Sequence, residues 1–205
     1  MADGAGLDRL VEVMHALRAG CSWDAGQTHA SLVTHLVEEA AEVVEAIETG
    51  GDADLREELG DLLLQIVFHA EIAAEEGRFT IDDVAHGIAD KLVHRHPYVF
   101  TDAAVPDDLL SSWEARKRAE KGRTSALDGI PAPLDTLARA TKVVGRVRHL
   151  GVGVPLPDEP VTAGEVGEQM VALVARAQAS GVDADQAVRA AVRALEGRVR
   201  EAEAS

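Results

Sequence analysis

Between Leu59 and Ala74 the chain is apolar on nearly every side of a helix, and its only formal charges are Asp61 and Glu71. A helix of that kind belongs inside a bundle rather than on a surface. Asp61 is then an anion in apolar surroundings, where an unpaired carboxylate is expensive. Nothing local offers an arginine, so a cation must come from elsewhere. One turn earlier stands Glu58, and sixteen residues before that Glu42 closes the run Glu38-Glu39-x-x-Glu42. Residues three or four apart share a helix face. Two such helices packed together would bring at least four carboxylates to one place, and a hard cation between them would relieve their repulsion.

The donor types narrow the choice of ion. Mg²⁺ takes oxygen ligands and keeps waters that substrate oxygens can replace. A zinc site would call for a cluster of Cys and His, which the sequence lacks. Between Arg18 and Arg56 there are eight acids and no Lys or Arg. For a lone Glu-rich helix a solvated face would be the ordinary explanation; Asp61 in its apolar helix argues for a metal.

Aromatic residues make up 3% of the chain, so the core must come from Leu, Val, Ile and Ala, which favours helices over a β-sandwich. The expected class is all-α, a helical bundle. Helical periodicity places segments at about 7–17, 30–48, 54–76, 80–94, 107–121, 134–150, 162–179 and 183–203. The apolar stripe of the second is Val33, Leu36, Val37, Ala40, Val44 and Ile47. Thr80-Ile81-Asp82-Asp83 is a capping-box variant opening the fourth. The organisation expected is 1–121 as a catalytic domain, 122–133 as a Gly/Pro linker, and 134–205 as a shortened, non-catalytic second copy. A faint repeat, Ile81 to Arg95 against Ala184 to Arg198, supports the copy.

A net charge of −16 argues against nucleic acid or an anionic membrane as the main partner. The lone Cys21 allows no internal disulfide, Met1 to Leu7 does not read as a leader, and no apolar run reaches membrane length. A cytoplasmic location is expected. Lys91 and Arg95, four apart, share a face that suits a polyphosphate, and Trp113 with Lys117 pairs a ring with a charge.

These motifs together resemble the MazG nucleoside triphosphate pyrophosphohydrolases, within the all-α NTP pyrophosphatase superfamily. The likeness runs through Cys21-Ser22-Trp23-Asp24 with Gln27-Thr28-His29, then Glu38-Glu39-x-x-Glu42. It continues with Glu57-Glu58-Leu59-Gly60-Asp61-Leu62-Leu63-Leu64-Gln65, Glu76-Gly77-Arg78-Phe79, Lys91 to Phe100, and Trp113-x-x-x-Lys117.

The resemblance implies that Glu39, Glu42, Glu58 and Asp61 hold Mg²⁺, with Mn²⁺ as a substitute. It makes Glu38 a further ligand or the base for the attacking water. It assigns Lys91 and Arg95 to the phosphates, Trp113 and Lys117 to the nucleotide, and His35 and Glu57 to substrate contacts beside the metal. The implied reaction converts a nucleoside triphosphate and water to a nucleoside monophosphate and diphosphate, clearing unwanted nucleotides, in a homodimer whose paired chains complete one bundle. Ser22 stands where the family usually has Pro, and in the C-terminal part only Glu165-x-x-Glu168 remains of an acidic motif.

Two other classes compete. A di-iron carboxylate bundle needs two E-x-x-H pairs, and Glu12-Val13-Met14-His15 is the only one. A non-catalytic helical scaffold would have no reason to keep all four acids together with Lys91 and Arg95.

Overall fold

A computed structural model describes residues 5–204, apart from the side chains of Leu110 and Ser111. The leader reading at Met1 to Leu7 lies partly outside that range. Among the described residues there are ten helices and no strand, as an aromatic-poor, Leu/Val/Ala-rich composition requires. They are α1 (Ala5–Gly20), α2 (Ser22–Ala25), α3 (Val33–Thr49), α4 (Asp52–Glu75), α5 (Ile81–Arg95), α6 (Pro97–Phe100), α7 (Leu109–Glu120), α8 (Thr136–His149), α9 (Ala163–Ala179) and α10 (Ala184–Glu203). The short α2 and α6 are additions to the eight segments expected, each too short for periodicity to register. They pack as two compact units, residues 1–94 and 95–205.

In the first unit α3 and α4 form a hairpin, the most extensively packed helix pair among the described residues. Its link is Gly50-Gly51. A Cβ on Gly50 would lie 2.9 Å from the Ala46 carbonyl oxygen and 3.2 Å from the Asp54 Cβ, so only glycine fits. The Asp54 carboxylate accepts from the Gly51 N–H at 2.8 Å and starts α4. Helix α1 lies on α4 around Met14, Leu32, Val67, Phe68 and Ile72. Thr80 and Asp83 cap α5 reciprocally, with Thr80 N–H to Asp83 Oδ2 at 2.8 Å, as the sequence predicts.

The apolar stripe assigned to α3 is not the buried one. Val33, Val37, Val44 and Ile47 are each more than half exposed, whereas Leu32, Val43 and Ala46 are buried. On α4, Leu59, Leu63 and Ile66 are also exposed. The reason is geometric. Helices apolar on two sides can satisfy only one of them within a single chain, and here α3 spends its Val43/Ala46 side on α4.

The second unit centres on α8 and α10, whose Val143, Val147, Val192, Leu195 and Val199 enclose Ala126 and Val154. Glu196, buried among them, accepts from Arg139 Nε at 2.8 Å and Nη2 at 2.7 Å. The 122–133 segment carries no helix, yet it is pinned to these helices: Ala126 N–H donates to Glu203 at 2.6 Å and Arg146 donates to the Ala126 carbonyl at 2.7 Å.

Candidate metal and substrate site

Glu39 and Glu42 stand one turn apart on α3, Glu58 and Asp61 one turn apart on α4, and the hairpin sets the two pairs against each other. One carboxylate oxygen from each of Glu39, Glu58 and Asp61 lies within 4.8 Å of the others. Glu42, one turn further along α3, is near enough for its charge to act on both Glu39 and Glu58. Lost hydration, then the charges of Asp61, Glu42 and Glu58, holds the Glu39 carboxyl above its ordinary range. Glu58 is raised too, by lost hydration first and then by Glu42, Asp61, Glu57 and Asp54. A cluster of hard oxygen donors in which Glu39 and Glu58 resist ionisation fits a divalent hard cation. A cleft of about 330 Å³ adjoins it, walled by Glu42, Glu45, Thr49, Asp54 and Glu58.

The other expected residues fall into separate groups. Glu38 lies outside the 4.8 Å set; it is exposed, with His35 Nδ1 3.5 Å from its Oε2. Glu57 and Lys91 are exposed. Arg95, Trp113 and Lys117 cluster in the second unit. The Arg95 guanidinium sits 5.6 Å from the Trp113 ring centre and the Lys117 amine 4.3 Å from it. Burial pushes the Lys117 amine down. Glu165, the remnant acid of the C-terminal part, is the capping acid of α9, with Thr162 N–H donating to it at 2.8 Å. His15 of the lone E-x-x-H pair is engaged by Glu71 at 2.6 Å.

The structure adds residues that no spacing announced. Trp23 on α2 meets His35 edge-on at 6.2 Å and Phe68 at 6.5 Å. Arg18 donates to the carbonyls of Asp24 and Gln27, which fastens the α2 loop in place. His29 stacks flat on His69, their Nδ1 atoms 2.8 Å apart, and Arg78 reaches the other nitrogen of His29. Because arginine only donates, His29 Nε2 accepts and its Nδ1–H donates to His69. The His69 proton is thereby left on Nε2, a buried atom with no partner among the described residues, as is Oε1 of Gln65 one turn away. The Trp23–Phe68, His29–His69 and His29–Arg78 contacts bridge forty residues or more, beyond any local pattern.

Residues 27–100 match the family model of the MazG nucleotide pyrophosphohydrolase domain. An uncharacterised 26.1 kDa protein of the blaB 3′ region in Streptomyces cacaoi is 45% identical over 98% of this chain and 84% of its own length. The chain belongs to the MazG family. Two further relatives bear the name nucleoside triphosphate pyrophosphohydrolase. That of Escherichia coli K12 is 45% identical over 71% of this chain, and that of Mycobacterium tuberculosis H37Rv is 39% identical over 96% of it. The chain spans 58% of the length of each of these two. The MazG match runs from the α2 loop through α6, so it contains both acid pairs, Lys91 and Arg95, while Trp113 and Lys117 lie beyond it.

Proposed function

We propose that this chain hydrolyses nucleoside triphosphates to nucleoside monophosphate and diphosphate, with Mg²⁺ as its ion and Mn²⁺ as a substitute. The convergence of Glu39, Glu58 and Asp61 carries the proposal. These three with Glu42 would hold the metal, which when bound neutralises phosphate charge and acidifies a water. Glu38, exposed beside His35, would take the proton of the water that attacks the α-phosphorus. Lys91 and Arg95 would carry the phosphates, Trp113 and Lys117 the nucleotide, and His35 and Glu57 would contact substrate next to the acids. Nucleotide-pool cleaning suits this chemistry, and a reducing cytoplasm suits the single free Cys21.

The same reading gives residues 1–121 the catalytic role and 134–205 a non-catalytic one. It also calls for a second copy of the chain. Val33, Val37, Val44 and Ile47 on α3, with Leu59, Leu63 and Ile66 on α4, form exposed apolar surface that a paired hairpin would cover.

The test is diphosphate release from a panel of ribo-, deoxyribo- and oxidised nucleoside triphosphates, with and without Mg²⁺. Release that requires Mg²⁺ and vanishes in Glu42→Ala and Asp61→Ala is the expected result. A panel in which no nucleotide yields diphosphate would sink it.

A further inference from the structure

Arg95 is the last residue of α5 and is buried, and every part of it but one edge is engaged. Its backbone carbonyl accepts from Arg116 Nη1 at 3.1 Å. Its guanidinium carbon lies over the Trp113 ring, 5.6 Å from the ring centre. Nε and Nη2 both address one oxygen, Oε2 of Glu120, at 3.0 and 2.9 Å. A guanidinium carries five N–H groups in a rigid planar array, and a carboxylate on the Nε/Nη2 edge leaves the Nη1 side for a second anion. Nη1 meets no acceptor among the described residues.

We propose that Glu120 is a positioning residue for substrate: it locks the rotation of the Arg95 fork so that the Nη1 side is presented to a phosphate oxygen. The inference rests on the reading of Arg95 as a phosphate ligand. The Trp113 ring bounds the guanidinium on one side but does not set its rotation; the two contacts to the Glu120 carboxylate supply that constraint. It also compensates the buried charge while no substrate is present. Lys117, on the same ring and 3.9 Å from Glu114, provides a point charge that needs no such orientation.

The experiment is steady-state hydrolysis by the full chain with Mg²⁺ in wild type, Glu120→Gln, Glu120→Asp, Arg95→Ala and the Arg95→Ala/Glu120→Gln double variant. Circular dichroism and melting show which variants are folded. Glu120→Gln should raise KM about tenfold with kcat nearly unchanged, the size of effect that a small misplacement of a binding group produces. Glu120→Asp should restore part of it, and Glu120→Gln should add nothing once Arg95 is gone. If Glu120→Gln does not fold, Glu120→Asp carries the same prediction, with KM above that of wild type. An unchanged or lowered KM in Glu120→Gln, while Arg95→Ala raises it, overturns the positioning role; a lowered KM would mean that Glu120 competes with phosphate. If Arg95→Ala leaves KM unchanged, the reading of Arg95 itself has failed and the inference falls with it.

Discussion

Arg18 on α1 grips Glu75 at the end of α4, with Nε 2.8 Å from Oε1 and Nη2 on the second oxygen, while its Nη1 holds the loop that carries Trp23. The arginine is nearly buried and the glutamate more open. Discounted for that exposure, Arg18→Ala should cost about 2 kcal/mol, seen as a lower denaturation midpoint. It should also red-shift the Trp fluorescence as the α2 loop comes away. The Arg18 pair holds Glu75 below the ordinary carboxylate range. Its contribution is therefore complete above that range and is lost as pH falls through the lowered folded value. An Arg18→Ala protein whose melting and fluorescence match wild type would remove the staple from the account.

The acid cluster has the opposite pH signature. Glu39 and Glu58 are both raised in the folded chain. The folded state then binds more protons than the unfolded one just above the ordinary carboxylate range, so stability falls as pH rises through that window. Metal-free protein should melt lower at pH 7 than at pH 5 on this account, and Mg²⁺ should remove the difference. Asp61→Asn deletes one repelling charge. It should raise the metal-free melting temperature by about 3 °C, the shift that roughly 1 kcal/mol makes in a chain of this size, and abolish the response to Mg²⁺. Calorimetry with and without Mg²⁺ reads both effects, and a mutant still stabilised by Mg²⁺ would argue that the ion binds elsewhere.

His69 is held below the ordinary histidine value by burial first and by His29 second. A histidine that resists protonation when folded costs stability as pH drops below its unfolded value. With Mg²⁺ present to silence the acid cluster, melting between pH 7 and pH 5 should show a downward slope that His69→Phe reduces. NMR titration of the His29 and His69 ring protons checks the tautomer chain, which requires the His69 proton on Nε2. A ring protonated at Nδ1 instead would contradict it.

Charge on the exposed side of α3 should separate the copies. Val44→Asp lies in the exposed stripe and away from the buried Val43 and Ala46. The expected result is a fall to monomer mass in sedimentation with little change in helicity. A wild-type chain that already sediments as a monomer would rule out the pairing surface.

Much of this was legible in residue order, and the limits have physical causes. Helix positions came through because a 3.6-residue period survives in any single sequence, and Asp61 pointed to the acid cluster because an ion in an apolar helix has few excuses. Which of two apolar sides of α3 is buried was not legible, since Val37 and Val43 are equally hydrophobic and only the packing of α4 distinguishes them. Trp23 beside His35, the His29–His69 stack and the Glu120 contact to Arg95 depend on where separate helices come to rest. No local period encodes them. Glu38 shows the same limit at close range: its neighbour Glu39 faces the cluster, and one residue of helical rotation carries Glu38 around to His35.

Gly50 sets the register between the two rods that carry every carboxylate of the cluster. Any side chain or inserted residue there would slide all of the oxygens past one another together. The spacing of the acids and the tightness of that corner are consequently a single quantity, and neither can be altered while the other stays still.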